Sequence, residues 1–202
     1  MLNHPLFKNM DLKHYQKQLH TTKYPIDSFL FNEGEECNSL GIILNGELTI
    51  STFTSLEKEY TINILGKNDI FGENLLFNKD NYYLGDGIVT KDIEIVFIPK
   101  ELLLEMLSNK TFLINFLNII TEKNMNVRQR LKLLSQKSIE DKIMFYLMNE
   151  YKKTNNKNIK IISKEDLANK LNIPRPSLSR ELIKLKEKGL INYDRYYITL
   201  VL

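Results

Sequence analysis

The apolar residues of this 202-residue chain change their spacing part-way along, and the change divides it into differently built stretches. From Phe29 to Ile98 they alternate: Leu40, Ile42 and Leu44, then Leu48 and Ile50, Ile62 and Ile64, and finally Ile93, Ile95 and Phe97. Successive side chains of a strand point to opposite faces, so this spacing predicts β structure. Turn residues separate the runs at 32–34, 66–69, 78–81 and 85–87. Asn45-Gly46 stands between two runs and predicts a type I′ hairpin, because both residues tolerate positive φ. Short strands at this spacing predict a small antiparallel barrel or roll. Residues 1–22, with a short helical pattern and a turn, predict an N-terminal helix packed on it.

Beyond Pro99, which opens the helical segment "PKELLLEML" where its missing N–H costs nothing, the period lengthens. Over 110–134 the sequence predicts one long helix. Leu113, Ile120, Val127 and Leu134 lie seven apart, and Leu117 and Leu131 fall on the complementary seam. In a heptad the first set takes d and the second a, with Asn124 at the remaining a position. An asparagine there pairs best with its own copy across a parallel two-stranded coil, so the pattern predicts a homodimer. The alternative is a helix packed on its own domain with Asn124 exposed.

A hinge is expected at 135–137. Ser138 with Asp141, and Ser163 with Asp166, each spell a capping box and predict two further helix starts. The stretch "YKKTNNKN" (151–158) reads as a solvated loop. The expected organisation is a sensing domain over 1–107, a dimer helix and hinge over 108–137, and a small helical domain over 138–202. Charge divides similarly: residues 1–136 carry 14 Lys+Arg against 17 Asp+Glu, and residues 137–202 carry 14 against 8. A basic C-terminal third points to a polyanion partner, or to an unevenly charged solvated surface.

Within that third, "KEDLANKL" predicts a helix from Lys164. Ala168, Asn172 and Leu178 then fall where a helix-turn-helix needs a small crossing residue, a left-handed turn residue and an apolar anchor. Pro174 and Pro176 crowd the start of the second helix. Pro176 disfavours α geometry at Arg175, which makes Arg175 the expected N-cap and Pro176 the first helical residue. Leu178, Leu182 and Leu185 form a core stripe, with Ser177, Arg180 and Lys184 opposite. Arg175 and Arg180 are candidates for base contacts, since arginine can make two hydrogen bonds to guanine. Ser177, Ser179 and Lys184 are candidates for phosphate contacts. Gly189 ends the helix, and "LINYDRYYITL" predicts a hairpin wing with Arg195 near its tip.

Over nearly its whole length the chain resembles the Crp–Fnr family of bacterial transcription regulators. The resemblance rests on "EGEECNSLGIILNGELTI", "DIFGENLLF" and "SKEDLANKLNIPRPSLSRELIKLKEKGLI", in the family's order. It implies an α+β protein: a cyclic-nucleotide-binding-like antiparallel β-roll, a long dimerisation helix and a winged helix-turn-helix. It also implies a cytoplasmic homodimer on a palindromic site in double-stranded DNA, a small-molecule effector, and RNA polymerase as a partner. The effector pocket would involve Gly72, Glu73, Asn74, Tyr83, Leu84, Asn124 and Val127. Two departures stand out. Pro176 occupies a position where many members carry glutamate. Tyr83 and Leu84 stand where cyclic-AMP-binding relatives carry an arginine–serine pair, and Val127-Arg128 replaces their threonine–serine pair. Cyclic AMP is therefore not the expected effector; another ligand, or constitutive activity, is.

Other classes fare differently. One cysteine, Cys37, is too few for a disulfide, a thiolate zinc site or a cysteine-ligated iron–sulfur cluster. A metal-dependent barrel enzyme needs histidines on its strands, and His4, His14 and His20 all precede them. No enzyme activity and no resident cofactor are expected. The alternative is a ligand sensor of the same fold, haem-based or otherwise, with weak or no DNA binding. No apolar run reaches membrane-spanning length, and the N-terminus has no signal-peptide pattern.

Overall fold

The computed structural model describes residues 3–53 and 59–201, and the chain falls into two compact units, Met1–Ile120 and Thr121–Leu202. In the first unit, β1 (Thr21–Tyr24), β2 (Phe29–Phe31), β3 (Ser39–Phe53), β4 (Glu59–Leu65), β5 (Ile70–Phe71) and β6 (Asp86–Pro99) form an antiparallel roll. Its spine is the pair β3–β6, in register from Ser39 opposite Pro99 to Ser51 opposite Asp86. The strand order is β1-β6-β3-β4, with β2 also on β6 and β5 also on β3. Strands this long are buried on both faces. Leu40, Ile42, Val96 and Ile98 meet α1 (Lys100–Leu107) and the start of α2 (Lys110–Leu134) through Leu103, Met106 and Phe112. Ile43, Leu48, Phe71, Val89 and Ile95 fill the other side with Phe31.

The expected hairpin at Asn45-Gly46 does not form. Strand β3 runs through it as a single 15-residue strand. The positive φ of Gly46 (+91°) serves a bulge, with register shifts against β6 from Ile43 to Leu48. A Cβ at Gly46 would strike the Asp92 carbonyl, so the glycine also permits close approach of β6. The N-terminal segment differs too: it holds a 3-10 turn at Pro5–Phe7 and further turns rather than an α-helix. Leu6 and Phe7 are buried, and the Asn115 side-chain amide donates to the Leu6 and Lys8 carbonyls at 3.1 and 2.9 Å.

Pro99 is the N-cap of α1, one position before the helix proper. Helix α2 is capped by Asn109, whose Oδ1 accepts from the Thr111 and Phe112 N–H groups. In the second unit, Ser138 and Ser163 cap α3 (Ile139–Thr154) and α4 (Lys164–Leu171), accepting from the Asp141 and Asp166 N–H groups. Helix α3 runs to Thr154 and ends on left-handed Asn155, so 151–154 is helix rather than loop. The loop reading fails at 158 as well. There β7 (Asn158–Lys160) adds a third strand to β8 (Ile191–Tyr193) and β9 (Tyr197–Leu200), in the order β7-β9-β8. Polar side chains hid both elements, because β7 buries only Ile159.

Candidate functional site

Ala168 of α4 is buried in the core that this helix shares with α5 (Arg175–Glu187). Asn172 takes the left-handed conformation (φ +51°, ψ +55°), and the Ile173 N–H donates to the Ala168 carbonyl at 3.0 Å. Leu178, Leu182 and Leu185 are fully buried. This is a helix-turn-helix with the predicted crossing, turn and anchor residues.

The start of α5 lies one residue earlier than expected. Pro174 is the N-cap, Arg175 the first helical residue and Pro176 the second. The Pro174 carbonyl accepts from the Ser177 and Leu178 N–H groups at 2.9 and 3.0 Å, which holds Arg175 in the helix against the pre-proline bias. Pro176 still gives up nothing, since the first four helical N–H groups have no intrahelical partner.

The candidate DNA contacts lie on the surface of this unit. Arg175, Arg180, Lys184 and Arg195 are exposed, and Ser177 and Ser179 are half-buried. Three of the four α5 cations, Arg175, Arg180 and Lys184, have a weak tether. Arg175 Nε is 3.5 Å from Glu165 Oε2, Arg180 Nη2 donates to Ser177 Oγ at 3.4 Å, and Lys184 Nζ is 3.4 Å from Glu181 Oε2. Exposed pairs of this kind hold little energy and can be exchanged for a phosphate or a base edge. Arg195 lies in the β8–β9 turn, which Asp194 braces by accepting from the Tyr196 and Tyr197 N–H groups. Its guanidinium lies over the Tyr196 ring, 5.3 Å from the centroid. Lys164 and Lys186 both approach the Tyr193 ring, a cluster that neither residue's helical position suggests.

In the roll, β5 is followed by Gly72, whose φ is +85° and whose added Cβ would come within 2.7 Å of the Ser39 carbonyl. Glu73 is buried and Asn74 exposed. Tyr83 turns inward and stacks on Phe31 at 3.7 Å between centroids. Burial pushes its phenol well above the ordinary range, and a hydrogen bond with Cys37 adds to this. The Cys37 thiol also lies 3.8 Å from the Gly72 carbonyl, so one buried cysteine ties together Gly72 and Tyr83, two of the seven predicted pocket residues. Leu84 points outward, 75% exposed. Neither Phe31 nor Cys37 carries a motif that singles it out; both stand far from Tyr83 in sequence.

Asn124 and Val127 lie in the second unit, both exposed on α2. Of the seam, Leu113, Leu117, Leu131 and Leu134 are exposed as well, whereas Ile120 is half-buried against the first unit's core. His4 is not the surface residue its terminal position suggests. It is buried, with Nδ1 accepting from the Leu6 N–H and Nε2 facing the Asn68 carbonyl. His14 and His20 are exposed. Among the described residues no three His, Cys, Asp or Glu side chains are grouped to hold a metal ion.

Residues 21–110 match the model of the cyclic nucleotide-binding domain, and residues 141–201 that of the Crp-like helix-turn-helix domain. The chain is 28% identical over 174 residues to the anaerobic regulatory protein of Bacillus subtilis (strain 168), across 83% of this chain and 73% of that protein. Its fold is shared with a CooA mutant from Carboxydothermus hydrogenoformans (TM-score 0.64, 16% identity, 96% of this chain and 89% of that one). It is shared too with the c-di-GMP responsive global regulator CLP of Xanthomonas campestris (TM-score 0.58, 18% identity, 94% and 97%). A nucleotide-binding-type roll followed by a Crp-like helix-turn-helix defines a ligand-linked class of DNA-binding regulator. The chain belongs to the Crp–Fnr family of transcription regulators.

Proposed function

We propose that the chain acts as a homodimer on a palindromic promoter site, read by α5 and controlled by an effector other than cyclic AMP or by none. The observation that carries this reading is the division of α5: one face of three fully buried leucines, the other exposing Arg175, Arg180 and Lys184. In this reading Arg175 and Arg180 contact bases, while Ser177, Ser179, Lys184 and Arg195 contact phosphates. The seam of Leu113, Leu117, Ile120, Asn124, Val127, Leu131 and Leu134 joins the two copies. Residues 1–107 sense, 108–137 dimerise and 138–202 bind DNA. The protein then works in the cytoplasm alongside RNA polymerase and has no catalytic role. None of its described helices is long and apolar enough to cross a membrane.

Tyr83 supports the effector part of the reading. It places an inward-stacked aromatic where a buried cyclic phosphate needs a cation. Selection of bound duplexes from a random DNA pool tests the whole. The expected product is a palindrome with half-sites about 34 Å apart, one helical turn. A pool without enrichment, or enrichment of a single unrepeated half-site, would count against it.

A further inference from the structure

The outermost ridge of α5 is not made of cations alone. At 3.6 residues per turn, Pro176, Arg180, Ile183 and Glu187 fall within about 60° of one another, roughly opposite the buried leucine stripe. All four are exposed, and Ile183 keeps 49% of its surface in water. It is the one large aliphatic side chain of α5 outside the core stripe. A single exposed isoleucine elsewhere would need no account. Here it shares a ridge with Pro176, two turns or about 10.5 Å away, and Arg180 lies between them. Apolar, cationic and apolar surfaces thus succeed one another along the line that a recognition helix lays in the major groove.

One feature of the major-groove edge suits an aliphatic neighbour. Guanine, cytosine and adenine offer donors and acceptors there, whereas thymine also carries the C5-methyl group. Pressing an isoleucine on the cytosine amino group would bury a donor without a partner, which is costly. Pro176 has neither an N–H nor a carboxylate, so it cannot accept from cytosine either. On the DNA-reading role proposed above, we propose that Ile183, assisted by Pro176, selects thymine by contact with its C5-methyl group. The half-site then carries A·T pairs beside the base pair met by Arg180.

Replacing thymine with deoxyuridine removes that methyl and leaves the hydrogen-bonding edge intact. Each thymine of the selected half-site is exchanged singly, and affinity is measured by fluorescence anisotropy for the wild type, Ile183→Val and Ile183→Ala. At one or two positions the wild type should lose about fourfold per methyl, the worth of one buried CH2 group. Ile183→Ala should bind the thymine and deoxyuridine duplexes alike, with Ile183→Val between. Because Ile183 is exposed, both variants should keep the wild-type circular dichroism spectrum. A wild type indifferent to every thymine methyl, or an Ile183→Ala protein as sensitive as the wild type, overturns the assignment while leaving DNA reading intact. A pool that yields no enriched site removes DNA reading itself, and this assignment with it.

Discussion

Tyr83 lies flat against Phe31, the ring planes 10° from parallel, and the Tyr83 backbone is pinned on both sides by hydrogen bonds with Glu35 and Gly34. The side chain is thus held inward by stacking and by its main chain. Leu84, its neighbour, faces water and offers no hydrogen bond from its side chain. Isothermal titration with cyclic AMP and cyclic GMP should show no heat at micromolar concentrations, and neither should tighten DNA binding. Micromolar binding coupled to tighter DNA affinity would overturn the expectation.

Dimerisation should depend on the exposed part of the α2 seam. Ile120 also packs on its own unit's core, so an aspartate there would confound unfolding with dissociation. Val127 and Leu131 are 58% and 61% exposed, which makes them the cleaner pair. Val127→Asp with Leu131→Asp should sediment as a monomer at micromolar concentration, with the thermal stability of the roll retained. Asn124→Leu should strengthen association or relax its register. A monomeric wild type would refute the seam.

The elements legible in the sequence were those whose signal is local. Helix α2, both serine caps, the left-handed Asn172 and the buried Ala168 and Leu178 each follow from residues within a turn or two. What escaped depends on distant partners. Asn45-Gly46 has hairpin chemistry, yet β6 pairs along both sides of it and converts the turn into a bulge. Nothing local marks His4 as held, because Asn68, which faces its ring, lies 64 residues away. The same holds for Tyr83, whose environment is set by Phe31 and Cys37, both more than 40 residues earlier in the chain.

That bulge carries its own prediction. Gly46→Ala forces a Cβ against the Asp92 carbonyl at a positive φ, and strain of this kind costs about 1–3 kcal/mol before any clash. The thermal midpoint of the roll should fall by at least several degrees. An unchanged midpoint would mean that β3 and β6 separate more easily there than their register implies.

On DNA, Arg180 and Lys184 should behave differently. Arg180→Ala should erase discrimination between the selected site and scrambled DNA, at a cost of about 1–3 kcal/mol for the specific site. Lys184→Ala should weaken both sequences alike and lower the salt slope by about one. Full specificity in Arg180→Ala would mean that α5 sits in the groove in another register.

The last expectation concerns acid stability. His4 Nδ1 accepts from the Leu6 N–H at 3.1 Å, so the ring is neutral with its proton on Nε2, facing the Asn68 carbonyl. Burial lowers its pKa, against smaller opposing effects from the Asn68 carbonyl and the Asp69 carboxylate. A second proton would occupy Nδ1 and break the Leu6 bond. In the unfolded chain a histidine titrates near pH ~6.5. Below that pH the unfolded state binds more protons than the folded one, so stability rises with pH. The contribution of His4 is therefore complete above pH ~6.5 and is lost as pH falls through its depressed folded pKa. Glu35, Glu36 and Glu47 are held below the usual carboxylate range by Asn32, Asn81 and Lys91, so what they contribute is lost only below that range. Between pH 7 and 5 the urea midpoint of the wild type should drop. In His4→Asn, which can cap Leu6 without titrating, it should stay nearly flat over the same range. Equal slopes in the two proteins would show that His4 does not control the acid limb.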